Sequence, residues 1–437
     1  MRQYQKVKIK NRVLAMLGII FVPGLAFAAP AIDKADTAWM MVSTALVMLM
    51  IPGLALFYGG MVRSFNVLSA VMHSLFAMGI MSIQWYVIGY TLAWGSDTGS
   101  GLIGGLEFLF LRGVGMEANG SIPHVLFMMF QGMFAIITPA LIAGAVVERI
   151  KFSAWVIFIV LWGTLVYDPL CHMVWHADGF LLNRGGLDFA GGLVVHVSSG
   201  VSALVLAIVL GKRLSYKKIS MPPHNLVITV LGAALLWFGW FGFNAGSALT
   251  SGGLAANALV VTHLSAAAGL FAWVCAEWIL LKRPSILGAA SGLVAGLVAI
   301  TPGAGFVTPS ASVLIGLLGG TACFLGVRIK DRFGFDDSLD AFGVHGVGGI
   351  IGALLTGIFA TKLINPGGAN GLFYGAAEGS MLLFEQAFGI VFTALYAGIF
   401  TWILATIIDK TIGLRVPRDV ELQGLDGQLH GEQAYHD

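Results

Sequence analysis

Two stretches decide how this chain is read: LDFAGGLVVHVSSG at 187–200 and LDAFGVHGVGG at 339–349. Each carries an aspartate, Asp188 or Asp340, followed by a histidine, His196 or His345, inside a small and apolar run of membrane length. An ionisable side chain at bilayer depth is costly and normally faces a cavity or a partner, so two in matched settings point to one shared pathway across a membrane.

The rest of the chain has the composition of a membrane protein. It is 57% hydrophobic and 11% charged, with a mean hydropathy of +0.87, against roughly a quarter charged in an ordinary soluble domain. The formal charge of +2 comes without a basic domain and gives no footprint for nucleic acid. Cys171, Cys275 and Cys323 lie in or beside apolar stretches without metal-ligand spacing and read as packing residues.

Residues 1–28 read as a signal peptide: Arg2, Lys6, Lys8, Lys10 and Arg12, then an apolar run from Val13 to Phe27, then Ala26-Phe27-Ala28. Removal near Ala28 leaves the mature amino terminus outside. Beyond it, stretches able to cross a hydrocarbon core of about 30 Å recur. They fall near 38–61, 67–94, 124–147, 153–171, 189–210, 225–247, 254–281, 286–305, 308–329, 343–364 and 384–409. The predicted fold is an all-α membrane protein with eleven transmembrane helices in 29–410, followed by a cytoplasmic tail, 411–437.

Basic residues test that topology, because short cytoplasmic loops are enriched in them. The inner loops and tail hold fifteen, from Arg63 through Arg213 to Arg418, whereas the outer segments hold only Lys34, Arg112, Arg184 and Lys362. An internal echo is also present. Ala135-Ile-Ile-Thr-Pro139 in the third span matches Ala299-Ile-Thr-Pro302 in the eighth, and the two Asp/His pairs fall in the fifth and tenth. Five being odd, the second half lies inverted on the first, an architecture that binds its cargo at the repeat interface near the midplane. Pseudo-twofold symmetry then brings His196 and His345 together. The 59 glycines suit close helix contacts in lipid.

Several blocks together resemble the ammonium transporter (Amt/Mep/Rh) family, nearest its bacterial Amt branch. They are IPGLALFYGG (51–60), FQGMFA (130–135), DFAGGLVVH (188–196), FGWFGFNAGSA (238–248), FGVHGVGGI (342–350) and the tail GLRVPRDVELQGLDGQLHGEQAYHD (413–437). The resemblance implies an eleven-helix bundle, five plus five inverted with a final helix, assembled as a homotrimer in a bacterial inner membrane with one pore per subunit. It also implies transport of ammonium or ammonia, with methylammonium as analogue, and neither enzymatic activity, metal nor cofactor.

Residue by residue, the resemblance assigns recruitment of ammonium to Phe134, Trp175 and Ser247, with Asp188 nearby. It assigns the gate and pore wall to Phe130, Phe243, Trp240 and Thr301, and the pore and proton relay to His196 and His345. Taken singly, Phe130, Phe243 and Trp240 read as packing, because large apolar side chains normally fill interiors. Cation–π attraction of roughly 0.5–2 kcal/mol suits aromatic rings to weak capture. Two neutral imidazoles can share a hydrogen bond, one nitrogen donating and one accepting. A dry lumen excludes potassium, whose dehydration can cost tens of kcal/mol in a low dielectric, while ammonium can shed a proton and continue as a neutral amine.

Asp188 precedes His196 by eight residues, about 12 Å along a helix, so it is read as a cap shaping the vestibule, with Asp340 as its counterpart. His172 and His176 read as solvated loop residues, with a two-ligand metal site as the weaker alternative. The hydrophilic tail reads by itself as a flexible extension. In the family it docks under the neighbouring subunit and helps a PII-type signalling protein block the pore, and Gly413, Glu421, Gly424, Asp426 and His430 match that pattern. Two departures stand out: Val261-Thr262-His263 in span seven, and a longer segment after Trp175, His176-Ala-Asp-Gly-Phe. Two other classes remain open, an ammonium sensor of the same fold and a membrane redox protein with His196 and His345 as haem ligands.

Overall fold

The computed structural model describes residues 31–435, so the signal peptide read at 1–28 lies outside the described residues. Among them, ten helices are long and apolar enough to cross a membrane. They are α1 (Lys34–Met61), α2 (Ser64–Trp94), α3 (His124–Val146), α4 (Phe152–Asn183), α5 (Gly192–Leu210), α6 (Leu226–Ala245), α7 (Gly253–Leu281), α9 (Pro309–Phe333), α10 (Phe342–Phe359) and α11 (Ala376–Thr411). Between α7 and α9 lies the shorter apolar α8, Ile286–Ile300.

Each expected span has its helix, with shifted ends. The fourth continues past the expected 171 to Trp175, with a short further turn at Phe180–Asn183, and the last begins earlier, at Ala376. Helix α8 stops short of the expected 305 because Pro302 cannot continue the ladder, and the chain turns through Thr301–Phe306. Short polar caps fix several starts: Asp33 accepts from Ala35 and Asp36, Asn225 from Ile228, Ser285 from Gly288 and Thr308 from Ala311.

The connections sort onto two ends. At one, the α1–α2, α3–α4, α5–α6 and α9–α10 loops are tied together by Arg63, Glu148, Arg213 and Asp336. Arg149 adds bonds to the carbonyls of Gly211 and Asp336. At the other, Gly101 O accepts from Phe180 N and Arg184 grips Glu385 through two hydrogen bonds. Phe189 N there donates to Pro302 O, which puts the far end of α8 with the α4–α5 loop.

Helices α5 and α10 approach backbone to backbone. A Cβ on Gly200 would stand 2.2 Å from Gly346 N, so no larger residue fits at this crossing.

Candidate functional site

The two histidines meet at that crossing. His345 Nδ1 lies 3.4 Å from His196 Nδ1, and the rings are 5.4 Å apart between centroids and 19° from parallel. Both sit on widened π-helical turns, Gly192–Val197 and Phe342–Gly346, a local distortion often found at functional sites. Gly191, at φ 114, turns the chain into the first of them, a conformation that a side chain would strain.

The imidazoles line a narrow cavity whose other walls include Met50, Leu54, Ile137, Leu141, Val294 and Trp240. Apart from the two histidines and the Trp240 ring, those walls are hydrocarbon or thioether. His196 is 1% exposed, and its Nε2 is buried without a hydrogen-bond partner. A Nδ1–Nδ1 hydrogen bond requires one nitrogen to donate and the other to accept, so the pair cannot be doubly protonated.

Trp240 stacks on His196 at 5.6 Å and 23°, and its Nε1 donates to Thr301 Oγ1 at 3.0 Å. Thr301 in turn donates to Leu297 O, so the hydroxyl is fixed as acceptor for the indole. Phe243 lies 6.2 Å from His196 and 4.3 Å from Phe134. Phe130 meets Phe134 edge-on at 5.1 Å, and Trp175 meets it at 5.7 Å and 87°. The aromatic rings therefore form a continuous series from half-buried Trp175 to the imidazoles. Ser247 is half-buried near this series and donates to Phe243 O at 2.8 Å, which leaves its oxygen lone pairs free.

Asp188 behaves as a cap. Its two oxygens accept from Gly191, Gly192, Leu193 and Val194 at 2.6–3.2 Å, neutralising the exposed start of α5. Its carbonyl accepts from Trp175 Nε1 at 2.8 Å, so one residue joins the helix start to the end of the aromatic series. The counterpart in the second half is Asp337, not the expected Asp340. Asp337 accepts from Ala341 and Phe342, at the corresponding helix start, whereas Asp340 points to Lys330. Asp340, at φ 62, already lies on the turn into the helix and cannot reach back to cap it.

The tail is not the loose extension its composition suggests. Glu421 accepts from Leu214 N and from Arg415, and Asp426 accepts from Leu68 N and Ser69 N at the start of α2. Leu425 N donates to Asn66, Gly424 packs on Phe65, Gly413 abuts Lys151, and His430 stands 5.4 Å from Phe152. Carboxylates that cap loop and helix N–H groups hold a hydrophilic segment as firmly as apolar burial would. Glu148 anchors the loops beneath it. Burial alone would raise its carboxyl, but Arg213 and Arg63 outweigh that and hold it below its ordinary range.

The reading of His172 as solvated fails: it is fully buried, bonded to Ala93 O and Asp97, with His176 stacked on it at 4.3 Å. Among the described residues no group of three or more His, Cys, Asp or Glu could hold a metal ion. At the span-seven departure Val261 is buried, Thr262 receives the Asn244 amide at 2.9 Å, and His263 stacks on Trp237. Cys171 and Cys323 are buried and Cys275 is half-buried, as packing residues would be. Sequence reasoning missed the Arg213–Glu148–Asp336 network, whose signal was acidic residues interspersed among the arginines of those loops.

Residues 38–435 match the family described as Ammonium Transporter Family. The "Ammonium transporter" of Bacillus subtilis is 53% identical over 406 residues, covering 92% of this chain and 98% of that protein. The "Ammonium transporter" of Aquifex aeolicus is 44% identical over 432 residues, covering 97% and 100%. Among solved structures, Saccharomyces cerevisiae Mep2 superposes with a TM-score of 0.82 at 38% identity, covering 89% of this chain and 88% of that one. A structure named "Sensor Amt Protein" superposes at 0.84 with 28% identity, covering 91% and 98%. By the extent of these matches and the apolar helices that carry them, this chain is a member of the ammonium transporter family.

Proposed function

We propose that this ammonium transporter captures ammonium at Trp175, Phe134 and Ser247, that its proton is handed to the His196–His345 imidazole relay, and that the neutral amine left behind passes between Phe130, Phe134 and Phe243 into the cavity of the two histidines. The observation that carries this reading is the His196–His345 pair, 3.4 Å between nitrogens, in a cavity otherwise walled largely by hydrocarbon. An alkali cation entering it would exchange hydration for apolar walls. A neutral amine both donates and accepts hydrogen bonds, as each neutral imidazole does. Asp188 shapes the mouth as a saturated cap, because four backbone N–H groups already occupy its carboxylate.

Eleven crossings are part of the proposal. The α8 helix starts beside Glu277 at one end and finishes beside Phe189 at the other, which supports counting it as the eighth. The contact of α5 with α10, together with that of α1 with α6, supports an inverted five-plus-five repeat, since helices near a pseudo-twofold axis pack on their own counterparts. The reading also includes a homotrimer in a bacterial inner membrane, a cleaved leader at 1–28, the mature amino terminus outside and the tail at 411–437 inside. That tail is the seat for a PII-type signalling protein. Haem ligation is disfavoured, because two nitrogens at about 2.0 Å from one metal would stand about 4 Å apart on opposite sides, whereas these rings lie side by side.

Uptake of methylammonium into cells without other ammonium transporters tests the reading, with His196→Ala and His345→Ala beside the parent. Loss of uptake in both is expected. Parental uptake in both variants, with the same competitors still blocking it, sinks the relay. A purified protein that binds ammonium in liposomes and passes none would make it a sensor.

A further inference from the structure

Three positions before Trp175, in the same helical turn region, His172 is fully buried with both ring nitrogens facing acceptors. Nδ1 lies 3.0 Å from the Ala93 carbonyl oxygen, and Nε2 lies 3.1 Å from Asp97 Oδ1. A carbonyl oxygen accepts and does not donate, so Nδ1 carries a hydrogen, and Nε2 shares a proton with the Asp97 carboxyl. Asp97 also receives Gly99 N at 2.6 Å and Gly101 N at 2.8 Å, a set of donors matched to the ionised carboxylate.

The neighbouring ring differs. His176 lies over His172 at 4.3 Å and 13° from parallel, and its Nδ1 accepts the Asp178 N–H at 3.2 Å, which only an unprotonated nitrogen can do. The His172 ring ties the end of α2, at Ala93, and the loop beyond it, at Asp97, to the helix end that carries Trp175. Trp175 itself is fixed on its other side by the bond from Nε1 to Asp188 O.

We propose that His172, clamped between Ala93 and Asp97, is the positioning residue that sets Trp175 for cation capture at the outer mouth. The proposal rests on the reading of Trp175 as a recruitment residue. A recruiting indole must hold its face to the vestibule before the cation arrives, and any freedom it keeps is lost as ordering cost on binding. Two charge-assisted or carbonyl bonds one turn away remove that freedom.

The test uses the full chain in cells lacking other ammonium transporters, with methylammonium uptake kinetics normalised to the amount of protein in the membrane. His172→Gln and Asp97→Asn should each raise KM at least about fivefold, the scale of part of one charge-assisted bond, with maximal rate within about twofold of the parent. Trp175→Leu should raise KM as well, and His172→Gln added to it should cause no further rise. If Trp175→Leu leaves KM unchanged, the recruitment reading itself fails. If Trp175→Leu raises KM but the His172→Gln effect multiplies on top, the clamp does not act through Trp175 and the proposal is overturned alone. Should His172→Gln not reach the membrane, Asp97→Asn decides from the other partner: an unchanged KM overturns the clamp.

Discussion

His196 and His345, 149 positions apart in sequence, share one hydrogen bond between like atoms, Nδ1 to Nδ1 at 3.4 Å. Only one hydrogen fits between two nitrogens, so the protonation of each ring is set by the other. Protonating both rings to imidazolium leaves no acceptor between them and breaks the bond, and it also places two charges in a cavity without a counter-ion among its lining residues.

Replacing either ring with alanine should cut methylammonium uptake by at least about tenfold, the lower part of the range for a positioned proton-transfer group. The protein should still reach the membrane, since a neutral residue in an apolar cavity adds no unpaired charge. Uptake rates at equal protein amounts check this.

Gly200→Leu should separate α5 from α10. Its Cβ would sit 2.2 Å from Gly346 N, and overpacking of this kind costs about 1–3 kcal/mol or more. Thermal inactivation of the purified protein should come at lower temperature, and uptake should fall with it. Full stability with full uptake would mean that the helices do not cross as described.

Asp188→Asn exchanges one accepting oxygen for a donating NH₂. Two of the four N–H groups from Gly191 to Val194 then lose their acceptor, at about 1–3 kcal/mol for each one left unsatisfied. A cap predicts lower thermal stability together with weaker uptake. A direct cation ligand would weaken uptake and leave melting unchanged.

At the tail end, Glu148 is held below its ordinary 4.5 by Arg213 and Arg63 against the opposing effect of burial. A carboxyl lowered by folding stabilises the fold above its unfolded value and gives that stability up as pH falls through the folded one. Melting temperature should therefore be steady above about pH 4.5 and drop below it. Arg213→Ala, which leaves Glu148 and Asp336 short of a partner, should lower stability by about 3–5 kcal/mol at neutral pH.

Much of the molecule was legible in the chain. Uninterrupted apolar runs announce helices because lipid offers no other partner for backbone polar groups, and the ITP echo with the two Asp/His pairs anticipated the meeting of His196 and His345. Asp340 was misassigned because sequence spacing says only that a carboxylate precedes a helix. Which one caps it depends on the turn between them, and that turn gave the role to Asp337. His172 was misread for a related reason: a histidine beside a Gly-containing loop looks solvated until the segment after α2 folds over it.

The amino-acid sequence alone determined the apolar helices, the clustering of basic residues on one set of loops and the presence of two histidines inside apolar segments, because these follow from the solvent each segment must meet. Only the tertiary structure decided the partnerships: Nδ1 facing Nδ1, Asp188 saturated by four N–H groups, His172 buried between Ala93 and Asp97, and the tail carboxylates seated on α2 and the α5–α6 loop. Hydrogen bonds act over about 3 Å, and distances that short between residues far apart in the chain are set by how helices cross.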